Sequence, residues 1–221
     1  MDAIVHDARG LVDRAAELGF DAIAITLHDR QLADPRLVDY ARERGIVLIP
    51  GIERTVEGKH VLLINFPQAA EQVRTFADLA ALRACSGGVV IAPHAFFPSR
   101  SCLHSLMQRH AGLFDAVEWS YFWTPSLNFN ARAARWAREN GKPIVGNSDL
   151  HDLRQLGRTY SHVAAERSAD AICQAIREGE VSVKTTPVPA MELARVLGGM
   201  ARRGTKARGT ADAEVTRLAT T

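Results

Sequence analysis

Four histidines and three carboxylates, His28, Glu53, His60, His94, Glu118, Asp149 and His151, each stand at or near the end of an apolar, strand-like run. Asn147 lies just ahead of the last pair. Histidine nitrogens and carboxylate oxygens are the donors that hold Zn²⁺, Mn²⁺ or Fe²⁺, and ions held this way activate water for hydrolysis. The donors are far apart along the chain. Alternating strands and helices carry successive strand ends to one face, so side chains distant in sequence can still meet.

Taken singly, most of these residues have a plainer reading. Asp149 and His151, two residues apart after the apolar run 143–146, also fit a helix cap beside a surface histidine. His94, after Val90-Ile91-Ala92-Pro93, also fits a hydrogen-bonded core histidine. Glu53 differs, because an acid closing the run Leu48-Ile49-Pro50-Gly51-Ile52 needs a partner or an ion. His6, His104, His110 and His162 lack such a context and read as surface or packed histidines. Trp119, Tyr121, Phe122 and Trp123 read as core packing.

The elements that must position the donors follow from periodicity and punctuation. A helix over 8–18 stops at Gly19 and a strand over 21–26 follows. Asp34 caps a second helix with Pro35 in its first turn and Gly45 past its end, ahead of a strand over 46–49. Further strands are expected over 61–66, 89–92, 116–120, 144–146 and 181–184, with another at Val163. Helices are expected over 71–84, 101–110, 126–140 and 169–178. This alternation predicts an α/β fold with a mostly parallel sheet, nearer a barrel than a small open sheet.

At 221 residues, 47% apolar and 24% charged, the chain is long enough to bury one large core. A net charge of +2 selects no partner. No basic-then-apolar leader and no run near the ~18 apolar residues of a membrane span occurs, which predicts a cytoplasmic protein without membrane association. Cys85, Cys102 and Cys173 read as reduced thiols. Residues 1–186 are expected to form the catalytic domain. Residues 187–221 are expected to form a helix over 191–200 and a disordered basic tail around 202–208; a nucleic-acid-binding arm is the lesser reading, because no aromatic residue is interleaved with the charges.

Six segments in order, from about residue 8 to about residue 185, resemble the polymerase and histidinol phosphatase (PHP) family of metal-dependent phosphoesterases. They are Gly19 through His28, Gly51-Ile52-Glu53, Gly58-Lys59-His60-Val61-Leu62-Leu63, Ile91-Ala92-Pro93-His94, Ala116-Val117-Glu118 and Asn147-Ser148-Asp149-Leu150-His151. The resemblance implies a distorted seven-stranded β/α, TIM-like barrel with two or three divalent ions (Zn, Mn or Fe) at its strand ends. Glu53 would bridge two ions, His60 and His94 would complete one, His28 and His151 would serve another, and Asp149 would bind the remaining ion. Glu118, a looser match, would support the ligands without being one.

Two departures from the family pattern stand out. Members begin with a strand ending in His-x-His, which is missing here, so the barrel is expected to lack its first strand and to show an open edge beside residues 21–26. A truncated gene model or a fragment is the simplest explanation, ahead of a lineage with one ion fewer. Leu27 replaces an acid that usually precedes the histidine, although His28 is retained.

The expected reaction is hydrolysis of a phosphoester by a metal-activated water, with Glu53, Asp149 and His151 at the chemistry and a small phosphorylated compound, a nucleotide or an oligonucleotide end as substrate. Arg100, Arg158 and Lys59, with Arg30 behind them, are the candidates for holding phosphate. An amidohydrolase-type metal hydrolase is the enzymatic alternative, and a degenerate binding or regulatory module the non-enzymatic one. Dinucleotide, phosphate-loop and serine-elbow motifs are missing, which excludes the commonest dehydrogenase, nucleoside-triphosphatase and serine-hydrolase signatures.

Overall fold

The computed structural model describes residues 7–189. His6, the helix expected over 191–200 and the basic tail lie outside the described residues. In order, the elements are α1 (Ala8–Glu17), β1 (Ala22–Ile25), α2 (Pro35–Glu43), β2 (Val47–Val56), β3 (Lys59–Ile64), α3 (Phe76–Ala84), β4 (Val89–Ala92), α4 (Leu106–Arg109), β5 (Ala116–Ser120), α5 (Asn130–Glu139), β6 (Ile144–Asn147), β7 (Thr159–Val163), α6 (Ala169–Glu178) and β8 (Val181–Thr185). Among the described residues no helix is long and apolar enough to cross a membrane.

Local chemistry sets the boundaries. Asp34 accepts from the Arg36 N–H to open α2, with Pro35 in the first turn. Gly19, Gly45 and Gly141 follow α1, α2 and α5 at φ of 74°, 73° and 61°, the left-handed conformation that ends a helix. The helix expected over 71–84 starts only at Phe76. Thr75 and Asp78 form a reciprocal capping box there and divide it from a preceding 3-10 turn. The helix expected over 101–110 shrinks to Leu106–Arg109.

Six strands form one curled, half-barrel sheet in the order β1-β2-β3-β4-β5-β6, and β7 and β8 pair as a separate antiparallel sheet. The pairs β1–β2, β4–β5 and β5–β6 are parallel, but β3 runs antiparallel to both neighbours. The physical reason is the connection: only Glu57 and Gly58, at φ of 48° and 76°, join β2 to β3. Two residues with positive φ make a hairpin, whereas a parallel crossover needs a dozen or more.

Of the expected seven-stranded barrel lacking its first strand, the described residues form a six-stranded half-barrel, consistent with part of a TIM-like barrel, and the separate pair β7–β8. The main sheet stops at β6 because Ser161 of β7 replaces the backbone ladder: its hydroxyl accepts from the Gly146 N–H at 2.8 Å and donates to the Gly146 carbonyl at 3.2 Å. Gly146 is also a close approach, since a Cβ there would lie 2.7 Å from the Tyr160 carbonyl oxygen and 2.9 Å from Val183 Cγ1. Gly146→Ala is therefore expected to cost about 1–3 kcal/mol in a urea melt. An unchanged midpoint would contradict this contact.

One face of the sheet buries Ile52, Val56, Leu63, Val90 and Val117 against α3, α4 and α5. The concave face carries Ile49, Leu62, Ile64, Ile91 and Val145, on which Cys173 and Ile176 of α6 pack. α1 and α2 form a third cluster with Ile23 and Ile25 of β1. β1 is the edge strand and none of its four residues is buried. The concave side opens there into a cavity of about 680 Å³ lined by residues of β1, β6 and β7. Among the described residues, β1 leaves the open edge expected beside residues 21–26. Val188 is buried on Tyr121 and Phe122, and its N–H donates to the Trp123 carbonyl, so the described residues just past 186 pack on the body of the fold.

Candidate metal centre

Glu53 is the hub. β2 is ten residues long and outruns β1, so its segment from Gly51 onward lies past the end of β1 and pairs along its length with β3. Residues alternate across the strand: Ile52 and Arg54 face the helices, while Glu53 faces the concave side and is 6% exposed. Because β3 runs in reverse, its first turnward residues lie at the end of the sheet where the parallel strands finish. His60 consequently arrives next to Glu53 from the start of a strand. His28, three residues past β1, makes an isolated parallel bridge with Glu53.

The three imidazoles surround that carboxylate. His60 Nδ1 lies 2.9 Å and His94 Nε2 3.7 Å from Glu53 Oε1, and His28 Nδ1 lies 3.3 Å from Glu53 Oε2. The ring centres of His28 and His60 are 4.9 Å apart, and those of His60 and His94 5.5 Å. Donor atoms of His28, Glu53 and His60 all fall within 4.8 Å of one another. Asp149 and His151 line the same cavity but stand outside that trio.

Glu118 supports His94 from below. It is 2% exposed, and its carboxylate accepts the His94 backbone N–H while lying 3.4 Å from His94 Nδ1. That contact leaves Nε2 turned toward Glu53. His94 and Asp149 both occupy the left-handed region, at φ of 29° and 42°, conformations that persist only where the surroundings over-determine them.

The electrostatics follow from crowding. Burial works to raise the Glu53 carboxyl, but His60, His94 and His28 outweigh it and hold the group below its usual value. Burial alone would lower His94; Glu118, with Asp149 and Glu53 nearby, overrides this and pushes it up to about 9. Asp149 is raised to about 7, first by desolvation and then by Glu118 and Glu53, with His94 opposing. Asp149 is exposed, and it lines the cavity.

The donor set fits a divalent ion. Glu53 Oε1 and His60 Nδ1 are buried, face each other at 2.9 Å and complete no aligned hydrogen bond. Two acceptors so placed are what an ion would satisfy, since ligands ~2.0–2.2 Å from Zn²⁺ stand about 3.3 Å apart in a tetrahedron.

The remaining candidates lie elsewhere. Lys59 Nζ donates to the Arg100 carbonyl at 2.6 Å, and neither residue lines the cavity; nor does Arg158 or Arg30. Arg167 lines it, paired with Asp21 at 3.1 Å. His110 stacks on Phe76 at 3.9 Å, and His104 lies 3.0 Å from the Ser99 carbonyl. His162 lines the cavity beside Tyr160. Sequence reasoning missed Asp29 and Arg54, whose bonds tie the His28 segment to β2; the signal was an arginine in an otherwise apolar strand, directly after Glu53.

Residues 128–181, which span α5 to α6 and include Asp149 and His151, match a family model described as PHP-associated. No curated protein matches the chain. The fold is similar to a two-domain protein from Bacteroides vulgatus that contains a predicted PHP-like metal-dependent phosphoesterase, at TM-score 0.65 and 22% identity. That match covers 83% of this chain and 61% of the other, so the chain spans about three fifths of its length. PsfC from Pseudomonas syringae matches at TM-score 0.60 and 17% identity, over 92% of this chain and 93% of PsfC. An amidohydrolase from Chromobacterium violaceum, solved with bound sulfate and no metal, matches at TM-score 0.56 and 13% identity, over 68% and 84% of the two chains.

Proposed function

We propose that this chain is a member of the PHP-domain family, a metal-dependent phosphoesterase that hydrolyses a phosphoester within the cavity beside Glu53. The observation that carries this reading is the ring of His28, His60 and His94 around one buried carboxylate, with two facing acceptors left without an aligned hydrogen bond.

His28, Glu53 and His60 would hold a divalent ion, with His94 completing the set and Asp149 and His151 serving a further ion. Such ions supply charge to a phosphoryl oxygen and lower the pKa of water toward ~7. Glu53 divides its oxygens between His28 on one side and His60 and His94 on the other, which suits a shared ligand. Glu118 holds His94 with Nε2 toward the cluster, and its burial keeps that imidazole in one orientation. Desolvation, Glu118 and Glu53 raise the Asp149 carboxyl while no ion is bound, and an ion would favour its ionised, ligating form. The acids crowd this end and Arg167 lies at the other, so neutralising a phosphate depends on the bound ions.

A substrate panel tests the reading. With Mn²⁺ or Zn²⁺ restored, release of inorganic phosphate from phosphomonoesters and nucleotides is expected to exceed turnover of amides by at least ~10²-fold. Preferential cleavage of C–N bonds would assign the site to the amidohydrolase alternative. Ion binding without turnover of either class would support the binding-module alternative.

A further inference from the structure

We propose that Asp29 is the positioning residue that holds His28 against Glu53, an assignment that rests on the ion-binding reading of that cluster. β1 ends at Ile25 and, as the edge strand, has β2 alone for a neighbour among the described residues. The stretch from Thr26 to His28 therefore leaves the sheet with support on one side. Two backbone bonds continue the pairing: the Glu53 N–H donates to the Leu27 carbonyl at 3.1 Å, and the Asp29 N–H donates to the Glu53 carbonyl at 2.9 Å.

The chain then turns sharply, with Asp29 at φ of 56°, a left-handed conformation that aspartate tolerates better than most residues. Its carboxylate closes the turn. Oδ1 accepts from the Thr55 N–H at 2.7 Å and from the Arg54 guanidinium, and Oδ2 accepts from the Thr55 hydroxyl at 3.0 Å. Arg54 is 4% exposed and donates Nε to the Val73 carbonyl at 2.6 Å, so the carboxylate is also anchored to the layer behind the strand.

The residues that Asp29 grips are the ones that matter to the cluster. It follows His28 directly, bonds the backbone of Glu53, and holds Thr55, which is the partner of His60 across the hairpin. Through its backbone at His28 and Glu53 and its carboxylate at Thr55, this one residue links the backbone positions of all three donors that converge within 4.8 Å. A general scaffold residue would have no reason to span that trio.

The test is a double-mutant cycle read by Co²⁺ titration of the full chain, following the ligand-field absorption bands. Asp29→Ala is expected to weaken Co²⁺ binding about 10–100-fold and shift the bands, whereas Asp29→Asn, which keeps an oxygen for the Thr55 N–H, restores most of both. In a His28→Ala background, Asp29→Ala should add little, because the ligand it positions is gone. If Asp29→Ala fails to fold around an unpaired guanidinium, Asp29→Ala combined with Arg54→Met removes both charges and takes its place in the cycle. Unchanged binding in the alanine variant, or an equal loss with and without His28, would overturn the role of Asp29 and leave the ion site standing. No Co²⁺ bound by the parent protein would overturn both.

Discussion

Glu53→Ala is expected to remove tight divalent-ion binding, with affinity falling by at least ~10³-fold and phosphoester turnover falling with it. The expectation follows from geometry: this one carboxylate lies within reach of three imidazoles at once, at 2.9, 3.3 and 3.7 Å. Its loss takes the charged ligand from the ion that His28, His60 and His94 would hold and leaves neutral nitrogens to replace that ion's hydration shell. Elemental analysis after reconstitution with Zn²⁺ and Mn²⁺ reads the result. The parent should carry at least one ion per chain, and a Glu53→Ala protein that retains it at the same affinity would show the ligands to be misplaced.

The ion-free protein is expected to lose stability as pH rises from about 6.5 to about 9, by about 3 kcal/mol. His94 keeps its proton to a higher pH when folded than when unfolded. Its attraction to Glu118 is therefore fully present below 6.5 and lost as pH passes 9. Asp149 acts in the same direction at lower pH, since a carboxyl raised to about 7 favours the folded state only while protonated. Glu53, held low, acts in the opposite sense and loses its contribution only as the solution becomes acid, below its ordinary 4.5.

Glu118→Ala should flatten the limb above 6.5 and destabilise the protein near neutrality by about 3–5 kcal/mol, because a buried histidine loses its charged partner and a backbone N–H its acceptor. Glu118→Gln should flatten the same limb while keeping the backbone bond. Urea denaturation in EDTA across pH 6–9 measures all three proteins. A parent curve that is flat or rising over this window would contradict the assignment of His94.

Strands buried on both faces were the most legible parts of the sequence. β4, β5 and α6 begin and end where the sequence predicts, at 89–92, 116–120 and 169–178. The direction of β3 was not read, since apolar periodicity reports which face is buried and is silent on which way the chain runs. Only the two-residue spacing at Glu57 and Gly58 carried that information. Residues 101–110 looked helical by composition, but turns and local side-chain bonds, such as that between Ser99 and Ser101, occupy much of that span.

The candidate site was legible where a polar residue closes an apolar run, as at Glu53 and His94. None of the four cations expected at the phosphate lines the cavity, and nothing in their spacing marks a pocket, since arginine and lysine are common on any solvated surface. Asp29 escaped notice for a different reason. Its importance comes from Thr55 and Arg54, which lie 26 and 25 residues away and meet it only after β1 and β2 have paired.

The hairpin of β2 and β3 also decides which chemistry the cavity can see. Its pairing sets Glu53 opposite Leu62, Arg54 opposite Val61 and Thr55 opposite His60. Because side chains alternate across a strand, slipping β2 by a single residue would turn the carboxylate out toward the helices and swing the Arg54 guanidinium in among the imidazoles. A cation would then stand where an ion should bind. The two residues of the Glu57–Gly58 turn therefore act as a lock on charge sign, converting a local choice of backbone angles into attraction rather than repulsion for a divalent ion.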